Sequence, residues 1–282
     1  MNSISVEVAR SFFPRGLFQP EGSFRFSLDA LLLASFLTPA NQGIGGRLLD
    51  IGTGCGVVAL GMLCRYPALN ACGLDLQPEL VEATRINAAR LGFADRFTAV
   101  CRDVASPEPL REDTGAFSLV LANPPYRQPR CGRLPVSRMR LTALFETEGS
   151  LLAFCRAAEL AMTPDGRFGI VFPAARVEKL LSALTESGLT VIRLLPVHAR
   201  IADPPMLVLA EAVKTPALQY RKACLMPPDA RNPFPELQLP LSLHNCRGAI
   251  RTLTEQVLAF CPFLACNHRV GDGVTRQQVQ AG

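Results

Sequence analysis

The sequence predicts an α/β protein built on a doubly wound, seven-stranded, mostly parallel sheet with an antiparallel last strand. Three observations predict it. Short apolar runs alternate with helical stretches five times between residues 47 and 188, the signature of consecutive βα units. The run Leu48-Leu49-Asp50-Ile51 passes directly into Gly52-Thr53-Gly54-Cys55-Gly56, a glycine turn of the kind that joins a first strand to its helix. Two further apolar runs, 189–197 and 206–213, are separated only by a link containing Asp203-Pro204-Pro205. That link is too short for a helical crossover, so the two strands are expected to pair antiparallel.

Composition allows such a fold. The chain has 282 residues, of which 49% are hydrophobic, and a mean hydropathy of +0.21. This suffices for one large α/β domain or two small ones with a substantial core. No apolar run reaches the roughly 18 residues of a membrane span. The first residues carry Glu7 and Arg10 and no apolar stretch, so no signal peptide is expected. Ten cysteines are scattered without a CxxC pair, several inside apolar segments (Cys72, Cys101, Cys155). Reduced thiols in a cytosolic protein fit that pattern better than a disulfide framework does. The net charge of +5 is carried almost entirely by Arg, a mild sign of an anionic partner.

Taken in order, residues 1–26 hold aromatic and turn residues (Phe12, Phe13, Pro14, Phe18, Pro20, Gly22, Phe24, Phe26) and read as an irregular or hairpin lead-in. Ser27 is placed to cap a helix over 28–37, with Asp29 favourable in its first turn. That helix is apolar nearly all round, which implies burial on both sides. A strand over 48–51, the glycine turn and an apolar helix over 57–64 follow. A second strand, 71–76, ends near Asp75, and Pro78 suits the first turn of a helix running to 91. A third strand, 96–102, ends near Asp103, and a fourth covers 117–122. A helix over 144–162, a strand over 166–172, a helix over 176–187 closed by Gly188, and the antiparallel pair complete the sheet. The expected division is a lead-in with a packing helix (1–46), a core (47–214), a small C-terminal cap with a helix over 249–260 (215–266), and a loose tail (267–282).

The chemistry collects at the strand ends. In an open α/β sheet, ligands bind beyond the carboxyl ends of the strands. Gly52, Gly54 and Gly56 allow a sharp turn and close approach of backbone to a ligand. Dinucleotide enzymes place their third glycine one position later, where this chain has Val57. Asp75 stands where a carboxylate accepts both hydroxyls of a ribose, and Asp103 where one accepts from an adenine amine. Taken singly, either aspartate reads better as a strand-end turn residue. The fourth strand runs into Asn123-Pro124-Pro125-Tyr126. Two prolines lack the amide donors a ladder needs, so the chain leaves the sheet there.

The conjunction of Asp-x-Gly-x-Gly-x-Gly, an acid ending each of the next two strands, and Asn-Pro-Pro-Tyr ending the fourth resembles the class I S-adenosylmethionine-dependent methyltransferases. The likeness is to the branch that methylates planar amino or amide nitrogens, and it covers roughly residues 17–215. It implies a Rossmann-like methyltransferase fold, with S-adenosylmethionine held by Asp50, Gly52, Gly54, Gly56, Asp75, Leu76, Asp103 and Asn123. It implies a catalytic clamp of Asn123, Pro124, Pro125 and Tyr126. An adenine amine is a poor nucleophile because its lone pair is delocalised into the ring. Acceptors such as the Asn123 side-chain oxygen and the Pro124 carbonyl pull it toward a tetrahedral shape, while Tyr126 stacks on a flipped base.

Within the branch, Phe18-Gln19-Pro20 and 24–34 (FRFSLDALLLA) are similar to the start of the bacterial tRNA1(Val) adenine-N6 methyltransferases, as are 140–152 and Pro164-Asp165-Gly166-Arg167-Phe168. The resemblance implies an adenosine of a tRNA anticodon loop as substrate and a cytoplasmic enzyme, with no membrane, metal or obligate protein partner expected. Five arginines, Arg127, Arg130, Arg133, Arg138 and Arg140, follow the clamp with no acid before Phe145, where an RNA backbone would run. Release-factor glutamine N5-methyltransferases share Asn-Pro-Pro-Tyr but carry a longer helical domain ahead of the glycine loop. Ribosomal RNA guanine-N2 methyltransferases usually end the motif in Phe. A catalytically silent RNA-binding relative is opposed by the intact motif set. Cys261, Cys266 and His268 do not match a standard zinc spacing.

Overall fold

In the computed structural model, which describes residues 5–39, 46–105, 114–126, 150–215, 236–244 and 252–267, β1 (Arg47–Ile51) lies at the middle of the sheet. β2 (Asn70–Asp75) and β3 (Phe97–Cys101) extend it on one side. β4 (Phe117–Ala122), β5 (Met162–Pro173), β7 (Pro205–Lys214) and β6 (Leu189–His198) extend it on the other. The first five strands are mutually parallel, and β7 runs antiparallel to both β5 and β6. The strand order reverses between β1 and β4, so the switch point falls where the sequence puts its glycine turn.

Alternation along each strand splits the core into two layers. Leu48, Leu119, Leu121 and Leu209 face one side, where α2 (Leu28–Phe36), α3 (Val57–Arg65) and α4 (Pro78–Arg90) pack. Leu49, Ile51, Val120 and Ala122 face the other, under α5 (Ser150–Ala161) and α6 (Val177–Glu186). Helix α2 is buried over all of its length after Leu28, as its all-round apolar sequence requires. It touches α3, β5 and the C-terminal helix at once.

Three parts of the chain differ from expectation. The lead-in is irregular over 12–27, as one of the two expectations has it, but opens with a short helix, α1 (Val6–Ser11); the Ser5 hydroxyl accepts from the Val8 amide at 3.4 Å. Arg10 fastens it to the end of α4, donating from Nε to the Leu91 carbonyl at 2.8 Å and lying 4.3 Å from the Phe93 ring centre. The C-terminal segment is joined to the sheet: β8 (Glu236–Leu237) and β9 (Leu241–Ser242) add in parallel to β6. The last helix, α7 (Glu255–Phe260), is shorter than expected because Thr254 caps it, accepting from the Val257 amide at 3.1 Å. Behind it, Val257, Cys261 and Leu264 enter the core beside α2.

At the join of β5, β6 and β7, the buried Glu211 lies between Arg193 at 2.7 Å and Arg167 at 3.0 Å. Two guanidinium groups are what make a carboxylate tolerable at that depth.

Candidate active site

A cavity of about 960 Å³ opens beyond the carboxyl ends of β1 to β4. Of the residues expected at a site, Gly52, Gly54, Asp75, Leu76, Asp103, Asn123, Pro124, Pro125 and Tyr126 all line it. Asp50 and Gly56 lie behind it. The expected arginines 127, 130, 133, 138 and 140, and His268, fall outside the described residues.

The glycine turn is held from two directions. The amides of Gly52 and Thr53 both donate to the Leu74 carbonyl at 2.8 Å, which ties the turn to β2. From α4, the Thr84 hydroxyl donates to the Gly54 carbonyl and the Asn87 amide to the Cys55 carbonyl, each at 2.9 Å. Gly54 has φ +59° and Gly56 φ +85°, which disfavours any side chain. A Cβ on Gly54 would meet nothing within 4 Å, so the bare backbone there faces the cavity.

Asp75 points its two oxygens in defined directions. Oδ2 accepts from the Gly54 amide and Oδ1 from the Gln77 amide, both at 2.9 Å. Burial pushes its carboxyl above the ordinary range, against the lowering effect of those amides. Asp50 has a different setting. It is 1% exposed, and its Oδ2 accepts from the Thr53 hydroxyl at 2.8 Å and the Ala59 amide at 3.2 Å. It therefore caps the first turn of α3 from beneath the turn. Its Oδ1 is buried with no hydrogen-bond partner, and burial pushes its pKa up to about 7. Asp103 is exposed, with Oδ1 accepting from the Ala105 amide at 2.9 Å.

At the end of β4, Pro124 is buried while Asn123, Pro125 and Tyr126 are half-buried. The Tyr126 ring stands edge-on to Phe172, centres 6.5 Å apart and planes at 77°. Its hydroxyl donates to Asp29 Oδ2 at 2.5 Å, and its main-chain oxygen accepts from Arg176 Nη1 at 2.8 Å. Four residues that fasten the site were not foreseen as functional: Asp29, Thr84, Asn87 and Arg176. The available signal was the placing of polar groups in apolar surroundings. Thr84 and Asn87 sit one turn apart on the buried face of α4, and Asp29 is 4% exposed in an apolar helix. The Phe24–Ser27 stretch also lines the cavity.

The sequence model of the methyltransferase small domain matches residues 27–153. A tRNA1(Val) (adenine(37)-N6)-methyltransferase of Porphyromonas gingivalis is 32% identical over 182 residues, covering 62% of this chain and 70% of the relative. The chain belongs to that family. A release factor glutamine methyltransferase of Vibrio cholerae is 36% identical, but over 110 residues that make up only 36% of that protein. Among solved structures, a predicted O-methyltransferase from Agrobacterium tumefaciens superimposes with a TM-score of 0.61 at 19% identity, over 84% of this chain and 96% of that one. That likeness extends the methyltransferase fold to most of the chain.

The protein is thus an S-adenosylmethionine-dependent N-methyltransferase. The cavity fits that donor. The lone pairs that Asp75 leaves open suit two ribose hydroxyls, the bare backbone at Gly54 admits close approach, and Leu76, half exposed, offers an apolar face beside them. Among the described residues, no helix is long and apolar enough to cross a membrane, and no group of His, Cys, Asp or Glu is arranged to hold a metal ion.

Proposed function

We propose that the protein methylates the N6 amine of an adenosine in the anticodon loop of a tRNA of the tRNA1(Val) type. One observation carries the reading: the donor edge (Gly54, Asp75) and the amide clamp (Asn123, Pro124) open on the same cavity, beside an aromatic ring.

S-adenosylmethionine, when bound, supplies a methyl group on a positively charged sulfur. The chain's own residues do the rest. Asp75 orients the ribose and Asp103 accepts from the donor's adenine amine. The Asn123 side-chain oxygen and the Pro124 carbonyl accept the two hydrogens of the target amine, which frees its lone pair for attack. The Tyr126 ring stacks on the flipped base. Most of the rate enhancement comes from alignment, since no strong base is needed before the transfer. The arginines from Arg127 to Arg140 follow the RNA backbone. The reading carries with it a cytoplasmic location, where tRNA is available.

The test is to incubate the protein with labelled methyl donor and unmodified total tRNA, and then to identify the labelled nucleoside and its position. N6-methyladenosine in the anticodon loop supports the reading. Label in a protein glutamine, or in a guanine amine of ribosomal RNA, overturns the choice of substrate.

A further inference from the structure

We propose that Asp29 is a positioning residue for methyl transfer, fixing the position of the Tyr126 ring from α2. This rests on the reading of 123–126 as the clamp for a planar amine.

The segment 123–126 has left the sheet, and its two prolines give it no ladder hydrogen bonds of their own. Its ring is therefore held only as well as its outside contacts hold it. Asp29 is suited to hold it. The carboxylate is 4% exposed, on the first turn of α2. Its Oδ1 accepts from the Ser27 hydroxyl and from the Ala30 amide at 3.0 Å. Those contacts account for Asp29 as a helix-start residue and use one oxygen. They leave Oδ2 unexplained, and Oδ2 is the atom that takes the Tyr126 hydroxyl at 2.5 Å. The platform is deeply packed: Leu32 and Leu33, the next turn of α2, are 0% exposed.

The phenol hydroxyl is thereby committed to a protein acceptor, at the wall of the cavity that Asp29 and Tyr126 both line. A Phe at this position would keep the ring and lose the pin. Burying a carboxylate is costly unless its oxygens are satisfied, so the Asp29–Tyr126 bond also stabilises the site in which it sits.

The experiment is a double-mutant cycle on methyl transfer with Tyr126→Phe, Asp29→Ala and the pair, with Asp29→Asn as the conservative variant. Each single change is expected to lower kcat about tenfold, the scale of a lost hydrogen bond to a charged group. The KM for the methyl donor stays at the wild-type value. The pair is expected to do no worse than the poorer single variant. Asp29→Asn, which keeps an acceptor oxygen, is expected to recover most of the rate. Losses that multiply in the pair, or a Tyr126→Phe enzyme with wild-type kinetics, overturn the proposal. Tyr126→Phe leaves the start of α2 untouched, so it decides the question even if Asp29→Ala does not fold. If the wild type labels protein glutamine instead of tRNA, the substrate reading falls. The same cycle on that acceptor still decides the role of Asp29, because the coupling is between two side chains of the enzyme.

Discussion

Arg176 Nη1 donates to the main-chain oxygen of Tyr126 at 2.8 Å, and the same guanidinium lies 5.2 Å from the centre of the Phe172 ring. Arg176 follows β5 in a short 3-10 turn (Ala174–Arg176), so it ties the end of β4 to the start of α6. It thus holds the clamp by its backbone. Replacing it with Ala removes both contacts, and Lys offers neither the planar stacking nor the fixed donor geometry. Both variants are expected to lose about tenfold in kcat with unchanged donor affinity, as measured by steady-state kinetics and calorimetry. Equal loss in donor affinity would show that Arg176 supports the whole cavity.

Asn123 is the one side-chain amide at the end of β4, on the wall of the cavity. If it accepts from the target amine, Asn123→Ala removes that interaction while leaving the donor edge of β1 and β2 in place. Methyl transfer is expected to fall about a hundredfold or more, in the range seen when a transition-state hydrogen bond is deleted. The donor still binds by calorimetry. Near-normal turnover in this variant would place the amine elsewhere.

Asp75 joins the glycine turn to β2, since its two oxygens take the Gly54 and Gln77 amides. Asp75→Ala therefore removes a brace for the turn and, on the proposed reading, a ligand for the ribose as well. Donor affinity is expected to fall by roughly ten- to a hundredfold. Asp75→Asn retains one acceptor and falls between. A titration of either variant with S-adenosylhomocysteine reads the effect without any turnover.

The proposed function assigns the five arginines from Arg127 to Arg140 to the RNA rather than to the donor. Changing Arg130 and Arg133 together to Ala is expected to weaken tRNA binding and to flatten its dependence on salt, because fewer counterions are released. Unchanged affinity across a salt titration would remove them from the interface.

How much of this was legible in the sequence follows from the range of the interactions. The seven strands could be read because each holds a short, largely apolar run, and because glycine or aspartate marks the end of several. Asp75, Asp103 and Asn123 converge for the same reason: parallel strands end on one edge. The fastenings could not be read. Tyr126 meets Asp29 across 97 residues and Arg176 across 50, and periodicity does not say which distant polar groups will face each other. Helix α1 was hidden because it buries only Ala9 and has one turn and a half to show a pattern. Asp50 was read as a donor contact because it precedes the turn, whereas the alternation of β1 turns its side chain beneath the turn toward α3.

Asp50 yields the last prediction, on pH. Its carboxyl has an ordinary pKa of 3.8, and in the folded chain burial, with a smaller push from Asp75, raises it to about 7. Between those values the folded chain keeps a proton that the unfolded chain has released. Folding therefore becomes less favourable as pH rises through that window, and the loss is complete above the folded pKa. Asp75, also raised by burial, acts in the same direction. Asp50→Asn keeps an acceptor for the Thr53 hydroxyl and the Ala59 amide without the charge. Its stability relative to wild type is expected to increase from about pH 4 to about pH 7 and then to level off, by roughly a few kcal/mol in all. Denaturant unfolding of both proteins across that range, without donor, measures it. A difference independent of pH would mean that Asp50 is ionised in the folded chain, with its second oxygen supplied by a partner such as a buried water.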